Sequence, residues 1–441
     1  MSVGATRPRR GAELGLGVLA AVVTGGGYTL IALADGPDLP PDLLAFLGAV
    51  VGLFVVAHVA VRRFAPRAEH TLLPLVALLN GIGFVTITRL DRELARIQSA
   101  WVAVGVGAFV VTLALVRDTR VVERYRYTCM LLGIGFLLLP LAPGIGRTLN
   151  GARLWAKVGP LNFQPGEAAK VLLVVFFAAY LVEQRTVLSQ GATRIGRLRL
   201  PAPRHLGPLL LAWGVSIVVM VMEKDLGSSL LFFAVFAAML YMATERLTYV
   251  VAALLLFVGG AGAAYNLFDH VQVRVSTWID PWPEAQSAGY QIIQSWYAFG
   301  TGGAFGTGLG LGNPDKIPNA ATDFVFSAVG EELGLLGSLA VLAAFLLLVG
   351  SAFRIAVDAT RLFPKLFAAG LATILALQTV IIIGGVTRLI PLTGNTLPFV
   401  SYGGSSLVAN FVIVALLLRV SDESRRADAR SATSPSAGVS A

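Results

Sequence analysis

The chain has 441 residues and a net charge of +9, with 56% hydrophobic residues and only 13% charged ones. An average soluble domain carries about 25% charged residues, and a soluble exterior must be largely polar. This excludes a soluble enzyme, a disordered chain and a collagen-like chain, and leaves an integral membrane protein.

Apolar stretches near the length of a bilayer span, bounded by charge, predict helices at 13–33, 43–61, 71–88, 98–116, 127–143, 166–182, 207–222, 227–243, 247–267, 335–353, 364–386 and 399–418. The runs are continuous and do not alternate. The expected fold class is therefore an all-α polytopic bundle of about twelve transmembrane helices, not a barrel. In chain order, a basic tail (1–12) precedes a pair of spans (13–68). Ala32-Leu33-Ala34 looks like a signal-peptidase site, but the apolar run is longer than the roughly 7–15 residues of a cleaved signal, so an uncleaved anchor is expected. The segment 183–206 is basic and carries Pro201 and Pro203. The segment 421–441 is polar, rich in Ser and Ala with Arg425, Arg426 and Arg430, and reads as a disordered tail. Both basic segments read as topology signals that also meet anionic lipid head groups.

With the N-terminus inside, 23 of the 34 Lys and Arg residues fall on cytoplasmic segments and 11 elsewhere. The positive-inside rule thus favours both termini in the cytoplasm. The largest connection, 268–334 between spans nine and ten, falls outside.

A charge at mid-bilayer costs at least about 2.5–3.5 kcal/mol, so polar groups kept near lipid are the informative ones. Four places qualify, all at the outer face. The first runs from Asn150-Gly-Ala-Arg153-Leu-Trp155 to Gln164-Pro165-Gly-Glu167-Ala-Ala-Lys170. Pro165 suits a first helical turn, where Glu167 also meets the helix dipole. Lys170, three residues on, shares its face and already lies inside the apolar run, which favours a functional pair over a mere surface ion pair. The second is Glu223-Lys224-Asp225, a hairpin that on its own reads as solvation. The third is the long outer segment, with Arg274, Asp280-Pro281, the glycine-rich run Gly300–Gly312 and Asn319-Ala-Ala-Thr322-Asp323-Phe324, then Glu331-Glu332. The glycine run lacks the lysine of a nucleotide loop and suits close backbone packing. Asp323 stands among apolar residues. It reads either as a carboxylate with a raised pKa, suited to act as a base near neutrality, or as a helix N-cap, and composition leaves both open. The fourth, Pro391-Leu-Thr393-Gly394 to Pro398-Phe-Val-Ser401-Tyr-Gly-Gly-Ser405-Ser406, predicts a broken entry to the last span. One cysteine (Cys129) excludes a cysteine-ligated metal site, and four histidines speak against a histidine-rich one.

These segments, in order, resemble signatures of the SEDS family (shape, elongation, division and sporulation): Gly151-Ala-Arg-Leu-Trp155 with Gln164 to Lys170, Asp225-Leu-Gly227, Asp280-Pro281 with Gly289-Tyr-Gln291, Thr322-Asp-Phe324 with Glu331 to Gly334, and Pro391 to Ser406. Asn80-Gly-Ile-Gly83 and Gly384 to Pro391 look more like the RodA branch than the FtsW branch. The family core has ten transmembrane helices, so residues 69–420 are the expected glycosyltransferase domain and 13–68 an addition dispensable for chemistry.

The resemblance implies a peptidoglycan glycosyltransferase that polymerises lipid II outside the cytoplasmic membrane, serves cell elongation and shape, and pairs with a class B penicillin-binding protein. Membrane lipids are expected contacts, and nucleic acid is not. By motif position the family's essential aspartate falls on Asp323, and its cavity Glu and Lys on Glu167 and Lys170. Arg153, Asp225, Arg274, Glu332, Ser401 and Ser405 join them as substrate-binding candidates. Three motifs depart from the family pattern: Asn319-Ala-Ala-Thr-Asp323 for Glu-x-His-Thr-Asp, Glu223-Lys-Asp225 for Gln-Pro-Asp, and Gly166 for Ser. The lipid diphosphate leaving group is already a stable anion. One base and nearby cations then suffice, and the two carboxylates of glycosidases are not needed. Arg153, Lys170 and Lys224 are the candidate cations. A divalent cation, Mg or Mn, would serve the same end, though no ligand motif shows it. The rival readings are a lipid II flippase and a non-enzymatic scaffold for the penicillin-binding protein. The absence of an inverted repeat, and polar groups at the outer face instead of the midplane, speak against the flippase.

Overall fold

The computed structural model describes residues 10–36, 43–149, 152–158, 161–190, 193–195, 198–200 and 203–433. Its helices, in order, are α1 (Arg10–Asp35), α2 (Leu43–Phe64), α3 (Leu72–Leu90), α4 (Arg92–Leu115), α5 (Thr119–Arg124), α6 (Arg126–Leu138), α7 (Pro165–Glu183) and α8 (Arg185–Gln190). There follow α9 (Pro203–Met222), α10 (Leu226–Thr244), α11 (Leu247–Leu267), α12 (Asp269–Ile279), α13 (Tyr290–Gly302), α14 (Val325–Asp358), α15 (Leu362–Val386) and α16 (Gly404–Thr433). Among the described residues, ten helices are long and apolar enough to cross a membrane, and the apolar stretches Arg126–Leu141 and Gly207–Met222 are shorter. Each apolar stretch read from hydropathy falls on one of these helices, and the protein is a polytopic, nearly all-helical membrane protein.

Two boundaries move for local reasons. α14 starts ten residues before the expected 335, because Gly334 adopts φ 65° and ψ −165° and splits a short buried segment from the long span. A side chain at Gly334 would run into the backbone of Gly306, so only glycine fits. The expected last span began at 399, but helix begins only at Gly404. The hydropathy reading contained no strands. A three-stranded antiparallel sheet, β1 (Gly146–Leu149), β2 (Ala152–Val158) and β3 (Leu161–Phe163), nevertheless joins α6 to α7. A small hairpin, β4 (Thr193–Ile195) with β5 (Leu198–Leu200), lies in the basic segment between α8 and α9.

The core is built on α7, α15 and α16, where Phe176, Phe177, Phe367 and Leu417 are fully buried. α11, in contrast, has no buried residue; it leans on the bundle only through contacts such as Phe257 on Phe233 and Tyr249 on the Leu188 carbonyl. The N-terminal pair packs closely: a Cβ at Gly81 would stand 1.8 Å from Thr24 Oγ1. Glu13 is buried against His58 (2.9 Å) and Arg62 (3.3 Å). The far end of α1 reaches the glycine-rich run, with a Cβ at Gly310 only 2.6 Å from Ala34 Cβ. An apolar cavity of about 550 Å³ opens between α2, α3 and α4, lined by Leu53, Phe54, Val76 and Val106.

The expected disordered tail needs correction. α16 runs on through Thr433, and its polar residues are used up against the segments at residues 67–69 and 119. Ser421 Oγ accepts the Glu69 N–H at 2.9 Å and Asp422 accepts the Arg67 N–H at 2.9 Å. Glu423 takes both the N–H and hydroxyl of Thr119 at 2.5 and 2.7 Å. Arg425 pairs with Glu69. These side chains satisfy backbone donors that no helix can supply with partners. Residues 1–9, 37–42, 150, 151, 201 and 434–441, on which parts of the tail, loop and motif readings fall, lie outside the described residues.

Candidate active site

Helices α7, α10 and α14 start at the same end of the bundle, and the charged cluster gathers around those starts, with α12 beside them. Pro165 opens α7. One turn in, Lys170 Nζ lies 2.7 Å from Glu167 Oε2, with side chains only 4% and 9% exposed. The surface-pair reading fails on that burial. Asp225 caps α10, accepting the Ser228 N–H at 2.8 Å. Burial raises its pKa, the Ser228 hydrogen bonds oppose the shift, the Glu167 charge adds to it and Lys170 opposes it. Asp225 therefore faces the α7 pair, and the hairpin is part of the site, not a solvated turn.

Glu223, two residues earlier, was passed over by sequence reasoning. Lys224 between them adopts φ 62°, which curls the chain and lets both carboxyls turn inward. Glu223 is 4% exposed, and its Oε1 has no hydrogen-bond partner among the described residues. Burial, reinforced by Asp225, pushes its pKa up to about 8, so this carboxyl is protonated at neutral pH. The signal was present: an acid stands where the family pattern has an amide.

Across from this wall lies α12, which brings Arg274. Its Nη1 donates to the carbonyls of Leu392 (3.2 Å) and Thr393 (3.0 Å). Burial lowers the Arg274 pKa, while Asp225 and Asp323 hold its charge. The broken entry to α16 threads between these groups. Gly394 has φ 75°, and a Cβ there would lie 3.7 Å from Asp323 Oδ2 and 3.9 Å from Arg274 Nη2. On its other side, a Cβ at Gly227 would meet the Asn395 amide at 2.6 Å.

Asp323 is half-buried just before α14. The N-cap of that helix is Phe324, with no side-chain cap, so the capping reading does not apply to Asp323. Burial raises its pKa to about 6, against the opposing effects of the Thr322 side chain and Arg274. A carboxylate that is ionised at neutral pH and still appreciably basic matches what a general base requires.

Five of the sequence candidates thus come together: Asp323, Arg274, Asp225, Glu167 and Lys170. The other four brace the walls. Ser401 Oγ donates to the Thr322 carbonyl (2.5 Å) and accepts the Leu397 N–H (2.9 Å), which fixes the backbone beside Asp323. Ser405 Oγ accepts the Gln164 N–H at 2.9 Å and anchors the start of α7. Glu332 is bound by Arg89 (3.0 Å), which also reaches the Gly312 carbonyl (2.9 Å), so this pair staples the glycine-rich run. Arg153 directs its guanidinium to the Ala142 carbonyl at 3.2 Å, while its N–H meets the Glu223 carbonyl at 3.2 Å. Lys224 is exposed. Among the described residues no group of three or more His, Cys, Asp or Glu side chains is arranged to hold a metal ion. The cations set into the cluster are Lys170 and Arg274.

Comparison with known proteins follows the same lines. The family model described as "Cell cycle protein", which spans FtsW, RodA and SpoVE, matches residues 64–426. The chain is 46% identical over 429 residues to the peptidoglycan glycosyltransferase RodA of Mycobacterium tuberculosis, covering 95% of this chain and 92% of that one. A solved peptidoglycan synthase complex, described as coordinating polymerization and crosslinking, superposes with a TM-score of 0.68 at 27% identity over 81% of this chain and 98% of its own. The rod shape determining protein RodA of Thermus thermophilus superposes with a TM-score of 0.58 at 27% identity, over 80% and 96%.

Proposed function

Since the chain belongs to the FtsW/RodA/SpoVE family of cell cycle proteins, and within it is a peptidoglycan glycosyltransferase of RodA type, we propose that it polymerises lipid II at the cluster around Asp323. The observation that carries this assignment is the meeting of Asp323, Arg274 and Asp225 with the buried Glu167–Lys170 pair, across the Leu392–Asn395 turn.

In this reading Asp323 takes the proton from the acceptor sugar hydroxyl as the oxygen attacks the anomeric carbon of the donor. The bond to the lipid diphosphate breaks on the opposite face, so the anomeric centre inverts. Undecaprenyl diphosphate leaves as an anion, and Arg274 is the cation best placed to meet its charge. Glu167 and Lys170 neutralise each other and hold the first turn of α7 beneath Asp225. Protonated Glu223 keeps a second negative charge away from Asp225. The same reading puts both termini in the cytoplasm and the cluster on the outer face, since the charge-rich loops lie at the other end of the bundle. A class B penicillin-binding protein is the proposed partner, supported by the likeness to the synthase complex.

The test is reconstitution of the full chain with labelled lipid II, with and without that partner. Glycan polymer from the wild type, and none from Asp323→Ala, supports the assignment. Lipid translocation without polymer would replace it with the flippase, and neither activity would replace it with the scaffold.

A further inference from the structure

At the inner end of the bundle, α5, the turn between α14 and α15, and the last turns of α16 enclose a cleft of about 300 Å³. Arg117, Arg120, Arg361, Arg426 and Arg430 line it, against Asp118 and Glu423. The chemistry proposed above uses none of them.

The floor of the cleft is electrically closed. Arg361 lies within 3.5 Å of Asp118 and 3.3 Å of Glu423, and donates to Thr119 Oγ1 at 2.8 Å. Glu423 is further occupied by the Thr119 N–H, and Asp118 by the Arg120 N–H at 2.8 Å. Arg426 pairs with Asp422 at 2.7 Å. The rim is different. Arg117 and Arg120 are exposed, and their guanidiniums form no ion pair among the described residues. Charge left over at the mouth is therefore positive.

The position of the cleft narrows the ligand. α4 ends at Leu115, two residues before the rim arginine Arg117, and this side chain is 76% exposed. An arginine rim beside an exposed apolar helix end meets a molecule with an anionic head and an apolar tail. Guanidinium forks match phosphate oxygens two at a time, and basic pockets between helices at the cytoplasmic surface suit phosphate head groups. We propose that this cleft is a binding site for the phosphate head group of an anionic membrane lipid, with an acyl chain lying along Leu115 at the end of α4. A lipid held there ties together α5, α15 and α16 at the end of the bundle remote from Asp323, and stabilises the folded state by mass action.

The full chain is placed in phosphatidylcholine nanodiscs with or without cardiolipin. Retained lipid is counted by native mass spectrometry, and thermal unfolding is followed alongside. Wild type should retain cardiolipin and melt higher with it. Arg117→Gln/Arg120→Gln should bind it on the order of thirtyfold more weakly, lose the thermal shift, and keep its polymerisation of lipid II in phosphatidylcholine alone. Inorganic phosphate should not displace the lipid. Equal retention by wild type and variant, or no thermal shift in the wild type, overturns the site. Displacement by inorganic phosphate alone overturns the lipid and leaves a free-anion site.

Discussion

The two ends of the bundle handle buried charge in opposite ways. At the end that carries Arg419 most of the buried ionised groups are matched. Arg419 donates to the Phe64 carbonyl (2.8 Å) and the Leu113 carbonyl (2.5 Å) and lies 3.4 Å from Asp422, which also serves the Arg67 N–H. At the end that carries Asp323 the matching is incomplete. Among the described residues Glu223 Oε1 has no hydrogen-bond partner, Asp323 has a raised pKa, and Arg274 spends Nη1 on carbonyls while facing two carboxylates. Closed networks fix a fold. Groups left short of partners keep the capacity to bind and to move protons, at some cost in stability. The same residue types serve as mortar at one end and as chemistry at the other.

The sharpest way to break this contrast is at Asp323. Both Asp323→Ala and Asp323→Asn should lower the polymerisation rate by about 10²–10⁴-fold, the range for a lost general base. Thermal unfolding should shift little, because no cap or ion pair is removed. Near-normal polymer yield from either variant would end the assignment.

The counterpart is Asp422→Ala. It strands Arg419, which is 2% exposed, and should cost about 3–5 kcal/mol, as for a broken buried pair. The activity of the molecules that remain folded should be unchanged. A stable but inactive variant would mean that the two ends are not divided as described.

The Glu167–Lys170 pair tests the boundary between the two regimes. Each single alanine leaves a buried charge uncompensated, so the double variant should be less damaged than the sum of the singles, with a coupling of about 0.5–3 kcal/mol. Simple additivity in unfolding and in rate would make them independent.

The smallest effect is on pH dependence. With Asp323 titrating near 6, polymerisation should fall as the pH drops through about 6, since protonation removes the base. Glu223 ionises near 8. Its pKa lies above that of an unfolded carboxylate, so burial penalises the charged form, and stability should decline as the pH rises from the usual glutamate range toward 8. Glu223→Gln, which cannot ionise, should retain activity and remove that decline. A decline of the same size in the variant between the glutamate range and pH 8 would show that Glu223 does not titrate there.

Much of this was legible from residues alone. Hydropathy is a property of local segments, so it located all the apolar stretches. The cost of charge near lipid singled out Glu167, Lys170, Arg274 and Asp323 before any contact was known. Where the reading failed, the failure concerned partners. The tail from Ser421 looked solvated because its side chains are polar, yet their acceptors meet backbone donors of residues 67, 69 and 119. Ser401 and Ser405 looked like ligand contacts for the same reason; their hydroxyls also hold backbone groups, and Glu332 is paired with Arg89.

By itself, then, the sequence determined that the chain spans a membrane, where its helices run, and which few ionisable groups are kept near lipid. Those outcomes follow from transfer free energies summed over short windows. Only the tertiary structure decided which of those groups meet. Asp323, Arg274, Asp225 and Glu167 come from four segments far apart in the chain, and they converge because the helices bearing or following them open at one end of the bundle. A hydrogen bond or an ion pair depends on distances of a few ångströms between such segments. Spacing along the chain carries no measure of those distances.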